Sequence, residues 1–98
     1  MKFDGFDWDA GNAVKCQEHG VSIAEIESVF LGEPRVGPGL DHSKVDQRFR
    51  AIGRTKEGRH LFAVFTVRRR GSDIFVRPIS ARYMHRKEID AYEQKEVP

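Results

Sequence analysis

Between Ser22 and Phe30 the apolar positions Ile23, Ile26, Val29 and Phe30 recur at the spacing of one helical face, and Ser22 with Glu25 forms the S-x-x-E pattern of a capping box. This stretch predicts an amphipathic helix. Upstream, Phe3 and Phe6 alternate with Asp4 and Asp7, which suits a short edge strand over residues 2–7, and Asp9 is placed to cap a helix ending at His19 and Gly20. From Arg48 the period becomes two: Phe49 and Ala51 face one way, and Arg48, Arg50 and Arg54 the other, with Ile52 among the basic residues. The run HLFAVFTVR (60–68) is apolar on both parities and predicts a central strand. Past the Gly71 turn, SDIFVRPISA (72–81) predicts its antiparallel neighbour. Pro78 cannot donate to a ladder, so that strand is expected to lie partly at an edge or on a bulge. A last helix is expected from about Tyr83 to Lys95, with Ile89 and Tyr92 turned inward, while RVGPGLDHS (35–43) and RRGSD (69–73) read as loops. The order βαα, then three or four antiparallel strands, then α, defines an α+β class.

Composition narrows this picture. Ninety-eight residues, 39% hydrophobic and 33% charged, suit one domain spanning residues 1–98 with one real core. Cys16 is the single cysteine, so no internal disulfide forms, and no Cys/His set has zinc-site spacing. The opening MKFDGFDWDA is acidic where a signal peptide is basic and apolar, and the longest apolar run, LFAVFTV, is strand-sized. A chain in a reducing cytoplasm, with no membrane span, is expected.

The net charge of +2 hides a division, since residues 1–47 hold 4 Lys/Arg against 9 Asp/Glu and residues 48–98 hold 13 against 6. Either an acidic layer matches a basic one within the fold, or a basic face is kept for a polyanion. Arg48, Arg50 and Arg54 share a strand face, with Arg68, Arg77 and Arg82 at or near the ends of neighbouring strands, where stacked guanidiniums repel unless acids or phosphates separate them. His19 sits where a histidine interacts well with a helix C-terminus, and both His19 and His85 have the chemistry of a general acid or base. His42 and His60 have nothing to single them out. Trp8 reads as a packing anchor, and Tyr83 as a residue on which a nucleotide could stack. Residues 77–88, RPISARYMHRKE, raise one question: Arg82, His85, Arg86 and Lys87 place positive charge where a helix N-terminus already carries about half a positive charge. Asp90 answers for Arg86 and Lys87. Arg82 and His85 have no such acid within the helix, which predicts an anion pocket at this corner.

No nucleophile triad, phosphate loop or dinucleotide motif is present. Chemistry on this chain would rest on basic groups, and the reaction that arginines and an acid/base side chain serve best is phosphodiester cleavage, for which RNA supplies its own 2′-OH.

The stretches FDWD (6–9), HGVS (19–22), the helix with Glu25 that ends in Val29-Phe30, Arg48, IGRT-x-x-GR-x-LF (52–62), VFTVR (64–68), RPISAR-x-M-x-R-x-E (77–88) and Tyr92-Glu93 together resemble the BrnT family of type II toxins. The resemblance implies a RelE-like fold and a ribonuclease toxin that works without a metal or other cofactor, cutting RNA to inhibit translation. It implies a BrnA-type ribbon–helix–helix antitoxin as partner and contact with operator DNA only through that antitoxin. A homodimer or a toxin–antitoxin heterotetramer would be the assembly. Arg48, Arg68 and Arg82 carry over as phosphate-binding or transition-state groups, with Lys15 and His19 as secondary candidates. Arg50, Arg54, Arg77, Tyr83 and His85 complete the expected RNA-binding set. The alternative is a non-catalytic interaction or nucleic-acid-binding module that acts with a ribbon–helix–helix repressor.

Overall fold

A computed structural model of the chain describes residues 1–39 and 47–96. In chain order the elements are β1 (Gly5–Phe6), α1 (Ala10–Cys16), α2 (Ile23–Leu31), β2 (Arg35–Pro38), β3 (Phe49–Arg54), β4 (His60–Arg70), β5 (Asp73–Tyr83) and α3 (Arg86–Glu96). The strands form one sheet in the order β1-β5-β4-β3-β2, with β1 parallel to β5 and every other pair antiparallel. The class is α+β, with four antiparallel strands between the first two helices and the last.

The capping box of α2 is formed in both directions: the Ser22 side chain accepts from the Glu25 N–H, and the Glu25 carboxylate accepts from the Ser22 N–H. Its apolar face buries Ile26, Val29 and Phe30 against the sheet, with the Phe30 and Phe65 rings edge to face at 5.0 Å. Each such side chain, fully buried, contributes roughly 1.5–3 kcal/mol. The sheet residues beneath are small, since Ala51, Ala63 and Ala81 lie side by side across β3, β4 and β5 and are all buried. At Gly53 an added Cβ would come within 3.1 Å of Val29 and 3.2 Å of Pro34. A larger residue there would have to displace Val29 or Pro34 by a few tenths of an ångström.

The expected strand parity holds along β3, where Phe49, Ala51 and Gly53 turn toward the core and Arg50, Ile52 and Arg54 toward the other face. Pro78 lies beside a register shift at Val64/Phe65, where Ile79 is the unmatched residue of β5. Beyond Val76, β1 no longer pairs with β5, and α1 packs against the strand instead. The buried Asn12 makes that junction: its Nδ2 donates to the carbonyls of Pro78 (2.9 Å) and Asp7 (3.0 Å), and its Oδ1 accepts from the Asp9 N–H.

Several boundaries differ from those expected: β1 is confined to Gly5–Phe6, and β4 runs to Arg70 and β5 starts at Asp73, so the loop expected at 69–73 shrinks to Gly71 and Ser72. The first helix ends at Cys16 and continues only as turns with i→i+3 bonds, from Gln17 to Val14 and from Gly20 to Gln17, before Gly20 leaves with φ of 86°. The last helix begins at Arg86, because Tyr83 still pairs with Leu61 and the Met84 N–H donates to the His60 carbonyl. Residues 35–38, read as loop, form an edge strand on β3, a place where Pro38 loses no ladder bond. Residues 40–43, with His42, lie outside the described residues. Trp8 is half-buried against the core, and its Nε1 donates to Glu27. Cys16 is fully buried, which pushes its thiol pKa up to about 11. Among the described residues no helix is long and apolar enough to cross a membrane.

Replacing Asn12 with Ala leaves two buried carbonyls without their donor. A loss of about 2 kcal/mol is expected, lowering the melting temperature by about 8–16 °C. Thermal unfolding followed by circular dichroism checks this, and an unchanged midpoint would remove Asn12 as the link between α1 and β5.

Candidate functional site

The face of the sheet opposite α2 is the cationic one, and α3 covers one end of it. Tyr92 on α3 meets the His60 ring edge to face at 5.7 Å, its ring lies under the Arg35 guanidinium at 4.4 Å, and its carbonyl accepts from Arg35. Glu93 approaches His60 at 3.3 Å and Arg54 at 3.9 Å.

The strongest of these contacts resolves the charge puzzle at 77–88. Arg82 Nη1 and Nη2 donate to Glu88 Oε1 and Oε2 at 2.7 and 2.8 Å, and the same carboxylate accepts from the His85 N–H at 2.9 Å. Glu88 thus caps the first turn of α3 and supplies the negative charge there. The expectation that Arg82 has no helical acid within reach is corrected: the acid stands six positions along, across a strand-to-helix corner, where the i,i+4 rule does not apply. Arg82 holds the Glu88 carboxyl down at about 2, helped by the His85 N–H, while the carboxylate raises the pKa of Arg82.

The other expected residues separate by position. Arg77 donates to Asp9 at 2.9 Å and lies 3.6 Å from Asp7, and Arg70 also lies 3.6 Å from Asp7. The acidic N-terminal segment therefore matches this part of the basic layer internally. Asp9 has a lowered pKa because it accepts from the Asn12 N–H and from Arg77. Tyr83 points to the α2 side of the sheet: its hydroxyl donates to Glu25 (2.8 Å), and the Arg59 guanidinium covers its ring at 3.4 Å. The reading of Tyr83 as a stacking surface on the basic face is corrected, since it and Arg82 point to opposite sides. Bonding to Glu25 raises the Tyr83 pKa, and Glu25 is itself lowered, first by the Ser22 N–H. His19 and His85 are exposed, His19 in the turn after α1 and His85 at the start of α3. Arg68 lies on β4 opposite Phe75, about 13 Å along the strand from Val64 at 3.3 Å per residue.

Three of the expected residues come together. Lys15 from the end of α1, Arg48 just before β3 and Arg50 on β3 border a cleft of about 260 Å³, floored by Phe62, Val64 and Ile79 with the Ser80 side chain beside them. Gly39 completes the wall, and there a Cβ would stand only 3.0 Å from the Arg48 carbonyl oxygen. No Asp, Glu or His lines this cleft among the described residues. A second cleft of about 370 Å³ lies beside it under α3, and both are bounded by Arg50 and Phe62. The apolar floor was not expected as part of a site. Its signal was the two-sided apolar pattern of residues 60–68: both faces are built to be covered, but α3 reaches only part of the second. A wider cleft at the N-terminal edge, near Phe3, Phe6 and Leu31, brings none of the expected residues together.

A cleft bordered by three cations, with no acid in its lining among the described residues, favours anions over cations. The family comparison agrees with that chemistry: residues 8–88 match the model for the ribonuclease toxin BrnT of type II toxin–antitoxin systems. The chain belongs to the BrnT family. Comparison with curated proteins finds no match.

The Arg82–Glu88 pair leads to a pH prediction. A carboxyl depressed to about 2 contributes stability that is present in full above its usual value of 4.5 and is lost as the pH falls through about 2. Both side chains are about one-third exposed, at 35% and 34%, so solvent screens the pair. About 1 kcal/mol is expected from it. Glu88→Gln should therefore lower the melting temperature by about 4–8 °C at pH 7 and by nothing measurable at pH 2. Equal differences at both pH values would contradict the pairing.

Proposed function

We propose that the cleft of Lys15, Arg48 and Arg50 is the ribonuclease site, and that the protein is a metal-independent endoribonuclease that inhibits translation. The observation that carries this reading is the convergence of three cations, from the end of α1 and from the first residues at and before the start of β3, on an apolar floor that no acid lines among the described residues. In the reaction, the 2′ oxygen attacks the adjacent phosphorus, so that the O2′–P bond forms as the P–O5′ bond breaks. A 2′,3′-cyclic phosphate and a 5′-hydroxyl result. Arg48 and Arg50 hold the non-bridging oxygens as negative charge grows on them, a role in which the loss of one donor costs about 10²–10³ in rate. Lys15 is the lining group placed to hand a proton to the departing 5′ oxygen, while the 2′ proton leaves to solvent water. Arginine remains protonated and cannot take that part.

Arg68, lying farther along the same face, serves as a contact for a neighbouring phosphate, and Arg54 extends the basic face at its other end. Arg82 acts through its grip on Glu88. The family places a protein antitoxin beside the toxin. A BrnA-type ribbon–helix–helix protein that covers the cleft with a carboxylate is the partner that fits the cationic lining, with operator DNA reached only through it, in a cytoplasmic heterotetramer. The RelE-like relation belongs to the same proposal.

A second reading has one observation in its favour: among the described residues no histidine or carboxylate lines the cleft to act as a base. Under it the protein is a non-catalytic module whose basic face holds an acidic partner. Expression alone separates the two, since the module should be harmless and the ribonuclease should arrest growth. Purified protein freed of antitoxin should cleave RNA in excess EDTA as fast as without it. Lys15→Ala and Arg48→Ala should each lower the rate by about 10²-fold or more with the melting temperature retained. Arg68→Ala should instead weaken RNA binding and reduce its salt dependence by about one counterion. Intact RNA, or full rates in the Lys15 and Arg48 variants, would overturn the proposal.

A further inference from the structure

The two clefts on the cationic face are neighbours with a common wall made of Arg50 and Phe62. Val64 floors the first and Ile52 the second. Ile52 pairs with Phe62, so it lies one strand over and two residues along from Val64. With strand spacing of about 4.8 Å and a rise of about 3.3 Å per residue, the two floors are roughly 8 Å apart. Stacked nucleotides rise only about 3.4 Å from one to the next. Neighbouring bases seated in these two clefts would therefore be unstacked, one on each side of the Phe62 ring.

Phe62 is held in place for this. The Arg82 guanidinium lies 4.8 Å from its ring centroid and is itself fixed by the paired bonds to Glu88. Both clefts offer apolar surface to a base, Val64 and Ile79 in the first and Ile52, Met84 and Tyr92 in the second, while Arg50 stands between them. We propose that the clefts are two base subsites for a single dinucleotide step of single-stranded RNA, with the connecting phosphate at Arg50 and Phe62 as the wedge between the bases. This rests on the reading of the first cleft as the ribonuclease site, and it states which form of RNA that site accepts. In a stacked A-form strand the 2′ oxygen lies to one side of the P–O5′ bond. Splaying the two bases lets it swing into line with that bond, so the wedge and the chemistry serve one another. Paired RNA, whose bases cannot separate in this way, is excluded as a substrate.

The test is binding of a 2′-O-methyl dinucleoside monophosphate, which cannot be cleaved, against a nucleoside 5′-monophosphate, by calorimetry and by methyl NMR of the full chain. The dinucleotide should bind at least about ten-fold more tightly, the return from one further stacked base. It should also shift methyl signals in both clefts, Val64 and Ile79 on one side and Ile52 and Met84 on the other. Ala91 lines the second cleft from the exposed side of α3. Ala91→Trp should bring the dinucleotide down to the mononucleotide's affinity while the mononucleotide still binds. Equal affinities for the two ligands, shifts confined to one cleft, or an Ala91→Trp variant with full dinucleotide affinity would each overturn the two subsites. If the wild-type protein cleaves RNA yet shows no dinucleotide advantage, the subsites fail and the ribonuclease reading stands. A dinucleotide advantage in a protein that leaves RNA intact supports the subsites and removes the catalytic reading.

Discussion

The close seat of α2 on the sheet is the constraint from which the rest follows. Val29 and Pro34 approach Gly53 so nearly that a side chain there would have to push them back by a few tenths of an ångström, and the alanines at 51, 63 and 81 keep the surface low enough for Ile26, Val29 and Phe30 to descend onto it. Where β3 turns Ala51 and Gly53 inward beside Phe49, its outward positions carry the larger residues. On β3 those residues are Arg50, Ile52 and Arg54, and on the facing positions of β4 and β5 they are Phe62, Val64, Ser80 and Arg82. One helix packing tightly on one face thus decides that the other face is cationic with an apolar centre.

Repulsion within that face is relieved from two sides. At the β1 edge, Asp7 and Asp9 hold Arg70 and Arg77, and at the other end Glu88 and Glu93 on α3 meet Arg82, Arg54 and His60. These acids bracket the clefts, and none of them enters the lining of the first. The arrangement has an energetic sense, since a cation paired at the surface loses little and contributes little, whereas an acid inside the cleft would compete directly with a phosphate. The helix that carries two of the bracketing acids also walls the second cleft, so its docking and the shape of the site are linked through Tyr92 and Glu88.

Much of this was legible in the residues. The period of two from Arg48 gave the orientation of β3, the S-x-x-E pair gave the start of α2, and Pro78 announced the bulge opposite Val64 and Phe65. The edge strand at Arg35–Pro38 was hidden because Gly37 and Pro38 carry turn chemistry, which an edge tolerates. Among the site residues, parity could place Arg48 and Arg50 on one face, and the family resemblance pointed to Lys15. It could not show which cations were already paired within the fold. Arg77 meets acids 68 and 70 positions away, and Glu88 reaches Arg82 around a corner between two kinds of element. Pairing at such distances is a property of the folded chain, invisible to any local rule. Tyr83 was expected to open the last helix, but its strand runs two residues farther than the pattern suggested, which moves the helix start to Arg86 and leaves the tyrosine facing Glu25.

The central claim is that RNA lies on the face opposite α2, over the clefts that Arg50 and Phe62 divide. It is tested most directly by near-ultraviolet crosslinking of a 2′-O-methyl RNA that carries 4-thiouridine, with the attachment sites mapped by peptide mass spectrometry. The account predicts attachment at Phe62, Val64, Ile79 and Tyr92. Attachment at Arg59 and Tyr83 on the α2 side, or at Phe3 and Leu31 at the N-terminal edge, would contradict it.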